Sequence, residues 1–508
     1  MDRREFAKLV STLPLLGLSP QWLSPPEQYS GQPAENVLLL VFDAWSAHDV
    51  SLYGYQRSTM PELERLAQRA VVFHHHHAGG PFTSPGTASL LTGLYPWSHR
   101  AFNANGLVSK YHHKHSFLSL FPQHYKIGYS HNNFAVSLLR QLGRAGIDQL
   151  VPLREMMLGN DFWVTGLFAN DLDIAALSRV MSLSTTDYAN SLLFPGLHKR
   201  MVSWTQQSYK QAYAQQFPRG LPETQDQINY ILEHGIDWLV DHLPALPQPF
   251  FGYFHFLPPH DPYLSRSEFV GLFEGDGYLA PDKPDHLFSD GQSKGKMARE
   301  RAYYDEFIAY VDAEFARLYH QMEAAGLLGN TWLVLTSDHG EMFERGIVGH
   351  STEALHQPVI HIPLLVFPPG QQQRVDVHLT TSAVDVLPTM LHVTGQQVPD
   401  WCQGLVLPPF GDPQAVEERT VYAQHLRRNL PEQPLQHGTY IAIEGKYKLI
   451  YYTGWPELQD QDPYVELYDL ENDPEEMDNL AIKEKEMADH LIIKILNERQ
   501  RVDGPYLK

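Results

Sequence analysis

At 508 residues with 43% hydrophobic content, the chain can bury a large core, and its size suits one large domain with a smaller companion. Its formal charge of -21 argues against the basic surface that nonspecific binding to nucleic acid or to anionic membranes requires, so an anionic substrate needs local positive help. Cys402 is the only cysteine, which excludes an intrachain disulfide and a cysteine metal cluster.

Arg3-Arg4-Glu5-Phe6-Ala7-Lys8 precedes an uncharged run from Leu9 to Leu18, too short to span a bilayer but suited to the core of a signal peptide. Residues 1–34 are therefore expected to form a twin-arginine-type signal and linker. Such a signal exports the protein to the periplasm or beyond, with membrane tethering if it stays uncleaved. The competing reading, a short amphipathic helix, is opposed by Pro14 and by the Pro/Ser-rich segment from Ser19 to Pro33. No later segment offers about 18 uninterrupted apolar residues, so no stable span is expected in the mature chain.

Asn36 to Phe42 is a continuous apolar run ending in Asp43, the pattern of a central parallel strand buried on both faces. Ligands of open α/β sheets bind at strand carboxyl ends, so Asp43 is placed to project into a site; the bland alternative is a helix-capping Asp. Met60-Pro61 opens an amphipathic helix through Leu63, Leu66 and Ala70, and Val71-Val72-Phe73 reads as a short strand. The four histidines His74 to His77 follow it. In an extended segment alternate side chains point opposite ways, so they are not expected to converge on one metal.

Pro81 to Gly93 is a Pro/Gly turn running into a small-residue helix start, with Thr83 at its entrance. An anion beside Thr83 would meet free backbone N–H groups and the positive end of the helix dipole, which suits a nucleophile. A plain N-cap role is the alternative for such a threonine.

Residues from about 146 to 221 carry no motif and read as an insertion of helices and loops over the site. Phe250 to Phe256 is a second buried-strand run, leading to Leu257-Pro258-Pro259-His260-Asp261-Pro262-Tyr263. Arg301 begins a long amphipathic helix reaching toward Ala325, and Trp332 to Thr336 forms a third buried strand ending at Ser337-Asp338-His339-Gly340-Glu341. Asp43, Asp338 and His339 thus all lie at strand carboxyl ends, where they and Thr83 can share one divalent ion. Carboxylate and imidazole together favour zinc or manganese, with calcium possible. Ile362 to Phe367 is one more strand. From about Glu418 the pattern turns to short strands around Val421, Ile441, Leu449 and Leu467, followed by a terminal helix.

The wording from Pro81 to Gly93 resembles the sulfatase branch of the alkaline phosphatase superfamily. There the loop reads Cys or Ser, any residue, Pro, any residue, Arg, then Ala-Ser-Leu-Leu-Thr-Gly, and Ala88 to Gly93 repeat the ending. The likeness extends through Asn36 to Asp43, Leu94-Tyr95-Pro96, Ser337 to Glu341 and the C-terminal region, covering nearly the whole mature chain. It places Thr83 in the nucleophile position and so implies a threonine-nucleophile relative. Threonine cannot become the formylglycine aldehyde, and Thr87 replaces the arginine that supports that aldehyde. Asp43-Ala44 stands where sulfatases carry two adjacent acids. After Gly128-Tyr129 the chain reads Ser130-His131-Asn132-Asn133-Phe134, without the sulfate-contacting Lys and His.

The resemblance further implies that His260 holds the substrate or protonates a leaving group, a bare turn histidine being the alternative. It makes His350, in Gly349-His350-Ser351, a second catalytic or substrate-contacting residue, while Asp385 is read as a cap or internal pair partner.

The fold expected is α/β, a mainly parallel central sheet with helices on both faces in residues 35–415, and a small antiparallel C-terminal sheet in residues 416–508. The function expected is a metal-dependent hydrolase or transferase cleaving phosphate or sulfate esters through Thr83, phosphoesters or phosphonates favoured. Its substrate would be an anionic ester on a small molecule, glycan or lipid head group. The rival readings are a sulfuric ester hydrolase without formylglycine, and a catalytically inactive relative that binds glycans or lipids.

Overall fold

Three uninterrupted apolar runs have no polar face to offer solvent, so they can only be the buried middle of a sheet. In the computed structural model, which describes residues 35–144, 146–158, 195–224 and 228–507, they are β1 (Asn36–Phe42), β5 (Phe250–Phe256) and β6 (Thr331–Thr336). β1 pairs in parallel with both of the others. Around them lie β2 (Val71–His77), β3 (Tyr125–Ser130), β4 (Gln149–Leu150), β9 (Leu364–Phe367) and β10 (Val375–Ser382). The eight strands run in the order β10-β2-β9-β6-β1-β5-β3-β4. Only β9 breaks the direction, antiparallel to β2 and β6.

Alternation along β1 divides the core into two layers. Leu38, Leu40 and Phe42 face the helices Leu232–His242 and Lys294–Ala324, while Val37, Leu39 and Val41 face the opposite layer with the helices Thr83–Thr92 and Val386–Val393. A hairpin of β7 (Met342–Glu344) and β8 (Ile347–Gly349) follows β6. The antiparallel sheet of β11 (Val421–His425), β12 (Gly438–Glu444), β13 (Tyr447–Thr453) and β14 (Tyr464–Asp469) completes the chain. One of its faces packs on the terminal helix Lys485–Asp503 through Leu449, Leu467, Leu491 and Ile495; the other packs on Met342, Ile347, Leu355 and Ile360, in and after the β7–β8 hairpin.

Several boundaries differ from the sequence reading. The strand expected at Val71 to Phe73 continues through the histidines to His77; His76 and His77 are buried, whereas His74 reaches Asp376 at 2.6 Å. The long helix starts at Lys294, where the Ser293 hydroxyl caps it, seven residues before Arg301. Asp385 both closes a capping box with Ser382 and pairs with Arg419. The expected signal in residues 1–34, and residues 159–194 of the expected insertion, lie outside the described residues. Among the described residues no helix is long and apolar enough to cross a membrane.

Candidate active site

The site is assembled by the carboxyl ends of β1, β5 and β6. Asp43 follows β1 directly, its amide donating to the Phe256 carbonyl at 2.9 Å, and Asp338-His339 follows β6 across one linking residue. The link is tight. Ala44 takes a left-handed backbone, and its amide donates to Asp338 Oδ1 at 3.3 Å while Tyr304 holds its carbonyl at 2.6 Å.

Asp43, Asp338 and His339 are completely buried and close enough to share an ion. His339 Nε2 stands 3.3 Å from Asp43 Oδ1 and 3.6 Å from Asp338 Oδ2. Its Nδ1 lies 3.0 Å from the Gly340 carbonyl; donation there leaves the Nε2 lone pair facing the acids. Burial pushes this imidazole toward neutrality, but the Asp338 and Asp43 carboxylates outweigh it and raise its pKa to about 9. A field that binds a proton so firmly also attracts a cation. Asp43 Oδ1, Asp338 Oδ2 and His339 Nε2 are buried without hydrogen-bond partners. Orphaned polar atoms of this kind are rare in native interiors, and their convergence fits a divalent ion.

Thr83 is the first residue of its helix. The N-cap is Phe82, whose side chain makes no capping bond, so the N-cap alternative for Thr83 does not hold. Its Oγ1 instead accepts from Asn132 Nδ2 at 2.9 Å, and the same nitrogen donates to Asp43 Oδ2 at 2.7 Å. Asn132 is oriented by its own role as N-cap of the helix Asn133–Gly143, since its Oδ1 accepts the Phe134 amide at 2.9 Å. Gly86 brings the Thr83 helix against the acids: a Cβ there would run into the Asp338 carbonyl oxygen and stand 2.8 Å from its carbon.

His260 and His350 join the same group. Their rings are 4.8 Å apart, and both neighbour His339, at 6.4 and 4.3 Å between centroids. His260 Nδ1 is 2.7 Å from the Asp261 carbonyl, and His350 Nδ1 is 3.0 Å from Glu341 Oε1. Burial opposes charge on His260, yet the carboxylates of Asp261, Asp43 and Glu341 lift its pKa to about 9. Burial together with the neighbouring His339 and His260 drives His350 far the other way. The two neighbouring rings are thus biased in opposite directions, His260 toward holding a proton and His350 toward giving one up. A cavity of 980 Å³, lined by Leu257, His260, Asp261, Tyr263 and His350 among others, opens beside them.

The sequence reading brought Asp43, Thr83, Asp338, His339, His260 and His350 to this edge of the sheet, and the structure places all six there. It passed over Asn132 and His255. Asn132 stood in the quoted segment after Gly128-Tyr129, noticed only for what it lacked. His255 is buried with its Nε2 3.2 Å from Asp43 Oδ2 and 3.7 Å from Asp338 Oδ2.

A family model described as Sulfatase matches residues 35–159 and 178–396, and one described as N-sulphoglucosamine sulphohydrolase, C-terminal, matches residues 350–501. The chain is 26% identical over 447 residues to choline-sulfatase of Rhizobium meliloti (strain 1021), covering 83% of this chain and 77% of that protein. It is 24% identical over 503 residues to the multifunctional alkaline phosphatase superfamily protein PehA of Trinickia caryophylli, covering 88% and 91%. The fold is shared with the phosphonate monoester hydrolase of Agrobacterium radiobacter, at a TM-score of 0.65 and 20% identity over 93% of this chain and 97% of that one. With the family model matched over most of its length on this fold, the chain belongs to the sulfatase family of the alkaline phosphatase superfamily and is an enzyme of hydrolytic type.

Proposed function

We propose that this enzyme cleaves anionic esters with Thr83 as nucleophile, and that phosphoesters, whether mono-, diesters or phosphonates, are its preferred class over sulfuric esters. The observation that carries the reading is the Thr83 hydroxyl itself, which accepts a hydrogen bond from Asn132 beside two buried acids instead of capping its helix. Thr87 and the segment after Gly128-Tyr129 add to it, because the arginine, lysine and histidine of a formylglycine sulfatase are missing from their expected places there.

Asp43, Asp338, His339 and Thr83 would hold a divalent ion, zinc or manganese in preference to calcium, which would supply Lewis acidity to lower the hydroxyl pKa and to offset charge on the transferring group. Asn132 fixes the Thr83 oxygen in place and stabilises it as the alkoxide before it attacks. Thr83, its hydroxyl proton released to solvent, attacks as the alkoxide: Oγ1 forms its bond to phosphorus as the bond from phosphorus to the leaving oxygen breaks. His260, protonated and with Nδ1 committed to Asp261, gives its Nε2 proton to that oxygen. His350, neutral and anchored on Glu341, takes a proton from the water or acceptor alcohol whose oxygen bonds to phosphorus as the Thr83 Oγ1–phosphorus bond breaks, Thr83 leaving as the alkoxide it began as.

The similarity to choline-sulfatase favours a second reading, a sulfuric ester hydrolase that dispenses with formylglycine. A purely binding relative would have no use for a nucleophile, a donor to it and a pair of oppositely tuned histidines. Metal-loaded protein assayed on p-nitrophenyl phosphate, a phosphodiester, a phosphonate monoester and p-nitrophenyl sulfate separates these readings. The phosphorus esters should turn over faster, Thr83→Ala should lose several powers of ten in rate, and a single turnover should leave phosphate on the peptide from Phe82 to Gly93. Near-normal turnover by Thr83→Ala on every ester would remove the nucleophile assignment; preference for the sulfate would install the second reading.

A further inference from the structure

We propose that His255 is a further protein ligand of the ion, an inference that rests on the metal reading above. β1 and β5 pair so that His255 stands opposite Val41. Side chains alternate along a strand, so Val41 and Asp43 share a face, and the register puts His255 on that face beside the acid. The imidazole is fully buried, and its Nε2 has no hydrogen-bond partner although it lies 3.2 Å from Asp43 Oδ2 and 3.7 Å from Asp338 Oδ2. His339 Nε2 approaches the same two acids from Asp43 Oδ1 and Asp338 Oδ2 at 3.3 and 3.6 Å. Bonds of about 2.0–2.2 Å put neighbouring ligand atoms roughly 3–3.6 Å apart, and each imidazole Nε2 stands close to that distance from an oxygen of both acids.

The other ring nitrogen supports the same role. His255 Nδ1 lies 3.0 Å from the Tyr253 hydroxyl, two residues back on the same face of β5. Ligating histidines almost always commit their second nitrogen to such a partner, which fixes the tautomer and steers the ring. With Thr83 the ion would have five protein donors, and the two imidazole nitrogens among them weigh toward zinc, manganese or cobalt and against calcium. His255 thus supplies a donor where Ala44 offers none.

The test uses full-length protein stripped of metal and reloaded with cobalt(II), read by proton NMR. Each ligating imidazole contributes one strongly shifted, exchangeable N–H signal. Wild type should show two, and His255→Ala and His339→Ala one each, with zinc affinity of His255→Ala weakened on the order of 100-fold. Because the wild-type count needs no variant, a variant that fails to fold does not blunt the experiment. One shifted N–H in wild-type protein that holds one equivalent of cobalt would overturn the role of His255 and leave the rest of the metal site standing. Failure of the wild type to hold cobalt at all would overturn the metal reading and this inference with it.

Discussion

Asn132 Nδ2 donates to Thr83 Oγ1 at 2.9 Å, and this bond ties the start of one helix to the start of another across the site. The amide orientation follows from its neighbours: Oδ1 is taken by the Phe134 N–H, so both amide hydrogens are free for Thr83 and Asp43. Thr83 must then be the acceptor, and its own proton points elsewhere.

A prediction about Asn132 follows from its two jobs. Asn132→Ala removes the cap and the donor together, whereas Asn132→Ser keeps a good N-cap and removes only the donor. Both should lower kcat about 100-fold, the order of loss when a reacting group is left about 1 Å out of position. Only Asn132→Ala should also lose about 1 kcal/mol of stability. Comparing kcat with Tm for the two variants checks this; a serine variant with wild-type kcat would reduce Asn132 to a cap.

How far the sequence revealed this site depends on where each residue sits in its element. Asp43, His260, Asp338 and His339 stand just past long apolar runs, so a single-chain pattern marks both the strand and the carboxyl end that carries them. His255 lies inside such a run, where one histidine among aromatic residues reads as core; only the pairing of β5 with β1 sets it beside Asp43, and pairing is not written in either strand alone. β10 carries no such pattern: its burial alternates little and stays partial, as an edge strand's can. The helix from Lys294 was read late since its first turns bury only Met297 before Arg301, leaving no apolar period to follow.

Gly86 tests how closely the Thr83 helix must approach Asp338. Alanine is the better helix former by about 1 kcal/mol, so propensity alone predicts that Gly86→Ala stabilises. The added Cβ would meet backbone atoms of Asp338, which cannot rotate away as a side chain can. Overpacking of this kind costs roughly 1–3 kcal/mol, and displacing the nucleophile by about 1 Å can cost 100-fold in rate. Thermal melts should therefore show a lower Tm and assays a much lower kcat. A stabilised and active variant would show that the helix has room to move.

The paired arginines at the N-terminus are tested by export. Replacing Arg3 and Arg4 with lysine should trap the protein in the cytosol, folded and active, if residues 1–34 act as a twin-arginine signal. Fractionation of expressing cells decides it: unchanged accumulation of the double variant outside the cytosol would rule that signal out.

The join between the small sheet and the large domain should be sensitive to acid through Glu466. This buried residue of β14 accepts from Tyr452 at 2.7 Å and lies 3.4 Å from His286 Nε2. His286 Nδ1 accepts the Phe288 amide, so its Nε2 carries the proton that points at the carboxylate. Burial alone would raise the Glu466 pKa, but the hydrogen bond from His286, the electrostatic pull of the His356 and His286 rings and the Tyr452 hydroxyl bring it down to about 2. For a depressed carboxyl the sign is fixed: its stabilisation is complete above the unfolded value near 4.3, and is lost as pH falls from there toward 2. The shift corresponds to roughly 3 kcal/mol at most. His286 and His356 come from the large domain, so protonating Glu466 should loosen the contact between the two sheets first. Melting curves from pH 7 to 2.5 should show wild-type Tm dropping more steeply below pH 4.5 than that of Glu466→Gln, which should begin lower at pH 7. Curves that stay parallel through that window would mean the carboxylate is not what holds the small sheet in place.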